Sequence, residues 1–133
     1  MLKEFVLQTT ARLQMISIDG EIESVLQECG VREGMCLIWV PHTTAGVTVN
    51  ENADPSVVRD ILYATARTFP ENDRFQHMEG NSDAHIKSSL FGPSLTLIVT
   101  GGKPLLGTWQ SVYFCEFDGP RSRRFFIRIM EGG

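Results

Sequence analysis

A chain of 133 residues, 42% hydrophobic and 21% charged, has the size and balance of one globular domain and is too short for two. Its net charge of −4 argues against non-specific nucleic-acid binding, and no apolar run approaches the roughly 20 residues of a membrane span. MLKEFVLQTT at the start has no signal-like hydrophobic segment, and Cys29, Cys36 and Cys115 are odd in number without C-x-x-C spacing, which suits reduced thiols in a cytoplasmic protein.

Residues 3–9 alternate apolar and polar (Phe5, Leu7 and Thr9 against Glu4 and Gln8), which predicts a first strand. Asp19 opens a predicted helix in which Ile22, Val25, Leu26 and Cys29 recur at helical spacing, and Gly30 ends it. Residues 35–40 read as a core strand closed by Pro41, and residues 44–51 as a second strand close behind. Gly46 within it marks a bulge or a close approach to the backbone. Asp54-Pro55 is a helix start, an N-cap acceptor followed by proline, and the helix is predicted to run to Phe69 with Val58, Ile61, Leu62 and Thr65 on one face. Residues 71–81 are polar and turn-rich, so a loop is predicted, after which Ser82 or Asp83 opens a short helix ending at Gly92. Strands follow at 95–100, 109–117 and 124–130, with GGKPLLG and DGP as turns. Strands in close succession with two main helices predict an α+β fold of mostly antiparallel sheet, as a single domain over residues 1–133.

The chain has three histidines, His42, His77 and His85, each in or beside a polar, glycine-containing segment. His77 and His85 flank a loop long enough to bring both rings to one point, where a carboxylate such as Asp83 or Glu79 would suit zinc or another divalent metal. Solvated loop histidines and metal-free acid–base chemistry are the competing readings. Asn50, Glu51, Asn52 and Asp54 crowd the hand-over from strand to helix. Asp54 is explained as a cap, whereas Glu51 is free to contact a cation or a substrate amine. A straight strand from His42 to Asn50 spans roughly 26 Å, so the two ends share a ligand only if the chain bends near Gly46 or if subunits meet there. Arg121 and Arg123, two apart, would face the same way on a strand and hold one phosphate, with pairing to Glu116 or Asp118 as the alternative.

HTTAGVTVNENADPSV, GNSDAHIKSSLFGPSLTLIV, the LGTWQ block and EFDGPRSRR follow one another as in the YjbQ family, also labelled secondary thiamin-phosphate synthase, which this sequence resembles over nearly its whole length. The resemblance implies a compact two-sheet sandwich and a homotrimer. It also implies a site drawn from His42, Thr43 and Thr44, from Asn50, Glu51 and Asp54, and from His77, Asn81, Asp83 and His85. Trp109, Gln110, Glu116, Asp118 and Arg121 complete that set. The implied activity is a transferase reaction joining a pyrimidine pyrophosphate to a thiazole phosphate, with Mg²⁺ or arginine neutralising the leaving pyrophosphate. On this reading His42, Glu51, Asp83 and His85 are catalytic candidates, and Asn50, Asn81, Gln110 and Arg121 contact a phosphorylated small molecule. His42, His77 and His85 are candidate ligands of a divalent metal, zinc or magnesium. A non-catalytic metal- or metabolite-binding homotrimer is the alternative.

Overall fold

Strands with one apolar face have to bury it, and in this chain they do so in two sheets. The computed structural model describes residues 1–71 and 74–132, so residues 72 and 73 of the predicted loop lie outside the described residues. In the larger sheet the order is β1 (Leu2–Gln8), β8 (Ser122–Glu131), β3 (Gly34–Trp39), β5 (Ser94–Thr100) and β6 (Lys103–Pro104). The smaller sheet runs β2 (Gln14–Ser17), β7 (Gln110–Glu116), β4 (Ala45–Glu51). Neighbouring strands in both sheets are antiparallel. The helices are α1 (Asp19–Cys29), α2 (Pro55–Thr68) and α3 (Ser82–Phe91). The predicted α+β sandwich is therefore found, and the short third helix proves nearly as long as α1.

The sandwich core lies between the sheets. Cys36, Ile38, Val99 and Ile127 of the larger sheet meet Val47, Val112 and Phe114 of the smaller one, and α1 adds Ile22, Val25 and Leu26. The Phe114 and Phe125 rings meet across the layers at 6.0 Å. On the other face of the smaller sheet, Tyr113 and Cys115 pack with Ala84 and Phe91 of α3 and Val58 of α2. Successive residues of β7 thus feed two cores, which is why this strand is a nearly unbroken apolar run rather than an alternating one. Burial, with the nearby Cys29, pushes the Cys36 thiol up to about 12, and burial raises Cys115 further, so both stay protonated and unreactive at neutral pH. No described helix is long and apolar enough to cross a membrane.

Two strands were not visible in the pattern. β2 has four residues and β6 only two, one of them proline, and neither length establishes a period. Of the two readings of Gly46, the bulge is absent: β4 pairs with β7 residue by residue, from Ala45 opposite Glu116 to Glu51 opposite Gln110. Gly46 is instead a place of close approach, where an added Cβ would sit 2.8 Å from the Gly92 carbonyl oxygen and 3.3 Å from Phe91 Cβ. Asp54 caps α2 as predicted, accepting the Ser56 N–H at 2.9 Å. Asp19 behaves differently from a simple cap, because its carboxylate accepts the Val112 N–H at 2.8 Å and so ties α1 to β7.

Phe114 fills the layer between the sheets, so Phe114→Ala should lower stability by about 3–5 kcal/mol in urea unfolding. A loss below about 1 kcal/mol would contradict the two-sheet core.

Candidate functional site

At the end of the smaller sheet where β7 finishes, the chain turns through Phe117–Ser122 and enters β8. The turn has no room at Gly119, where a Cβ would fall 2.8 Å from both Glu116 Cγ and Thr9 Oγ1. This tight turn places Glu116 and Arg123 against each other inside the protein, both almost fully buried. Arg123 Nε donates to Glu116 Oε1 at 2.8 Å, and its Nη2 donates to the other carboxylate oxygen and to Thr44 Oγ1, the latter at 2.8 Å. Thr9 Oγ1 donates to Glu116 Oε1 at 2.8 Å, and the Asp118 N–H reaches Glu116 Oε2 at 3.0 Å. Burial opposes ionisation of Glu116, but the Arg123 hydrogen bonds, with those from Asp118 and Thr9, outweigh it and hold the carboxyl below its ordinary value. Of the two readings of these arginines, the phosphate clamp is therefore not formed and pairing with Glu116 and Asp118 is. Arg123 points inward with its Nε and Nη2 engaged by Glu116 and Thr44, while Arg121 precedes the strand, lies half-exposed and pairs with Asp118 at 3.1 Å.

A second network begins at the first turn of α3. Asp83 is completely buried and accepts both Arg12 Nη atoms, at 3.1 and 3.2 Å, and Lys87 Nζ at 2.9 Å. Burial would raise its pKa, yet the Arg12 and Lys87 hydrogen bonds prevail and depress it. Asp83 is thus a shared anion for two cations rather than an open acid–base group. Asn81 stands at the N-cap of α3 but makes no side-chain cap. Its Nδ2 donates to Asp118 Oδ2 at 2.8 Å, the same oxygen that Arg121 uses, and its Oδ1 is buried without a partner among the described residues. His77 and His85 are brought together, their rings edge to face at 5.3 Å, with Glu79 at 3.9 Å from His77 Nε2.

His42 stands apart from that pair in its bonding. Its Nε2 accepts the Arg124 backbone N–H at 3.1 Å, so the neutral ring carries its proton on Nδ1. Burial, reinforced by the Arg123 charge, lowers its pKa. Among the described residues no three His, Cys, Asp or Glu side chains form a metal-holding group, so a single chain does not assemble the expected His42, His77 and His85 site. Asn50, Glu51 and Gln110 lie at the opposite end of the β4–β7 ladder, roughly 20 Å from Glu116. Gln110 closes the LGTWQ turn there, its Oε1 accepting the Gly107 N–H at 2.8 Å. Asn50 Oδ1 accepts the Glu51 N–H, and the Glu51 carbonyl accepts the Tyr113 hydroxyl at 2.9 Å.

Sequence reading missed Thr9, Arg12 and Lys87. Lys87 was findable, since it follows Asp83 by four residues on one helix face. Arg12 and Thr9 reach the site across more than 70 residues of chain and leave no local signal.

The shifted groups predict a two-stage acid response. A lowered His42 pKa means the unfolded chain binds this proton more readily, so stability should fall as pH drops below the ordinary value of 6.5. The contributions of Glu116 and Asp83 are present above their ordinary values of 4.5 and 3.8 and are lost as pH falls through the depressed folded values. Urea unfolding from pH 7.5 to 3 should show both stages, and His42→Gln should lack the first. An unchanged first stage in that variant would contradict the His42 environment.

Comparison with known proteins accords with this architecture. The family model described as UPF0047 protein YjbQ-like matches residues 3–132. The chain is 52% identical to UPF0047 protein MJ1081 of Methanocaldococcus jannaschii, over 98% of this chain and 94% of the other. It is also 52% identical to UPF0047 protein YugU of Bacillus subtilis, over 98% and 99%. A crystal structure of an uncharacterized conserved protein of the YjbQ/UPF0047 family from Clostridium acetobutylicum superimposes with a TM-score of 0.95 at 49% identity, covering 96% of this chain and 99% of that one. A YbjQ-like protein of unknown function from Sulfolobus solfataricus reaches 0.94 at 27% identity, covering 99% and 97%. The chain belongs to the YjbQ/UPF0047 family.

Proposed function

We propose that the protein is a cytoplasmic enzyme acting on a phosphorylated small molecule at the α3 end of the smaller sheet. The reaction to test first joins a pyrimidine pyrophosphate to a thiazole phosphate. The observation that carries this reading is the grouping of the His77–His85 pair, the side-chain-uncapped start of α3 and Arg121 around Asn81 and Asp118. Helix-terminal N–H groups and a half-exposed arginine suit a phosphate. In the reaction the methylene carbon attached to the pyrimidine ring loses its bond to the pyrophosphate oxygen, which leaves with the electron pair, and the thiazole nitrogen lone pair forms the new C–N bond. Arg121 would neutralise the departing charge, His85 would protonate it, and Asn81 would orient the substrate.

The site is proposed to be completed by a second copy in a homotrimer. Glu51, Asn50 and Gln110 lie too far along a regular ladder to serve the same site in their own chain. Exposed Leu2, Val6, Met35, Trp39 and Ile98 on the outer face of the larger sheet supply apolar surface for association. A divalent metal would likewise need ligands from two copies, such as His77 and His85 of one with His42 or Glu51 of another, and no step above runs through it.

A second reading is a metabolite-binding oligomer without turnover. It is favoured by the engagement of Asp83 and Glu116 in buried ion pairs, which leaves neither carboxylate open to a substrate. Product analysis separates the two. Thiamin phosphate should form from the two precursors, His85→Ala should abolish it at unchanged oligomer size, and mixing His85→Ala with Glu51→Ala subunits should recover part of it. Saturable ligand binding without product from the wild type would overturn the enzyme reading, and no recovery on mixing would overturn the shared site.

A further inference from the structure

Beside Asp83, between Arg12 and the end of α2, lies an open cleft of about 320 Å³ that the proposed reaction does not use. Lys87 and Asp83 line it, with 1% and 0% exposure respectively, and Leu13, Ala66 and Pro70 form apolar walls. Arg12 and Glu71 stand beside them, 3.3 Å apart, the glutamate half-exposed. A lysine ammonium has three N–H donors. Among the described residues Lys87 Nζ uses one acceptor, Asp83 Oδ2. Two donors of a buried ammonium at the cleft floor are therefore without an acceptor among the described residues, a costly arrangement unless something accepts from them.

The surrounding charges are paired. Lys87 and Arg12 converge on the single carboxylate of Asp83. Glu71 lies at the solvent side, and Asp118, 3.7 Å from Arg12, is shared with Arg121. The lining thus carries two cations and two carboxylates, with Asp83 at the buried end and Glu71 half-exposed, and the walls beside them are apolar.

We propose that this cleft binds a small molecule through an anionic oxygen group, a carboxylate or a phosphate, which accepts the two remaining Lys87 N–H bonds while the apolar part of the molecule lies against Leu13, Ala66 and Pro70. The site goes beyond the synthase reading and does not need it, because neither His85 nor Arg121 takes part. Asp83 is its positioning residue, holding the ammonium at the cleft floor.

Isothermal titration of the full chain with inorganic phosphate and with butyrate, at constant ionic strength in chloride, tests this. At least one of the two should bind saturably, one per chain, and the one that binds distinguishes a phosphate site from a carboxylate site. Lys87→Met should weaken it at least tenfold. Ala66→Leu, which fills the cleft and leaves every charge in place, should do the same and decides the matter if Lys87→Met does not fold. Arg121→Ala should leave the affinity within twofold, so a failed synthase assay with this binding intact defeats only the synthase reading. The proposal is overturned if neither probe binds the wild type, if Ala66→Leu binds as the wild type does, or if Arg121→Ala abolishes the binding.

Discussion

The arrangement of this molecule depends on one buried ion pair, Arg123 with Glu116. Neither side chain is accessible to water, and each would be expensive to bury alone. The pair is tolerated because its hydrogen-bonding capacity is used: Glu116 accepts from Arg123, Thr9 and the Asp118 N–H, while Arg123 also reaches Thr44. Four segments distant in sequence meet there, namely the residue after β1, the loop before β4, the end of β7 and the start of β8. Hydrophobic burial between the sheets makes the sandwich stable, but it is non-directional. The ion pair fixes how the chain ends are placed around the site.

The placement has consequences one layer out. The turn that brings Arg123 inward aims Arg121 and Asp118 toward the start of α3, where Asn81 meets them and His85 meets His77. Ser88 anchors the other end of α3 by donating to the Ala45 carbonyl at 2.6 Å. Held at both ends, α3 presents Asp83 and Lys87 on one side and His85 on another. One helix thus serves two polar regions, which explains how so short a segment carries so many motif residues.

Much of this was legible in the sequence, for identifiable reasons. The Asp54-Pro55 start of α2 is a local signal and needs no tertiary information. Most strands announced themselves by alternation or by continuous apolar runs. The site was less legible, because its grouping is non-local. Arg121 and Arg123 look equivalent by spacing, yet one lies before the strand and the other within it, so one is half-exposed and the other buried. Gly46 offered two readings, a bulge or a close approach to the backbone, and the sequence could not choose between them because the approaching Gly92 backbone is 46 residues away. His42 groups with His77 and His85 by residue type and by the family motifs, while within its own chain its Nε2 accepts the Arg124 N–H.

A double-mutant cycle on the ion pair tests this account most directly, with Glu116→Leu, Arg123→Met and the double variant compared by urea unfolding at pH 7. Each single change should cost about 3–5 kcal/mol, because it leaves a buried charge unpaired, and the double change should cost no more than either single. If the two single costs simply add in the double variant, the two side chains act independently and the pair does not organise this end of the protein.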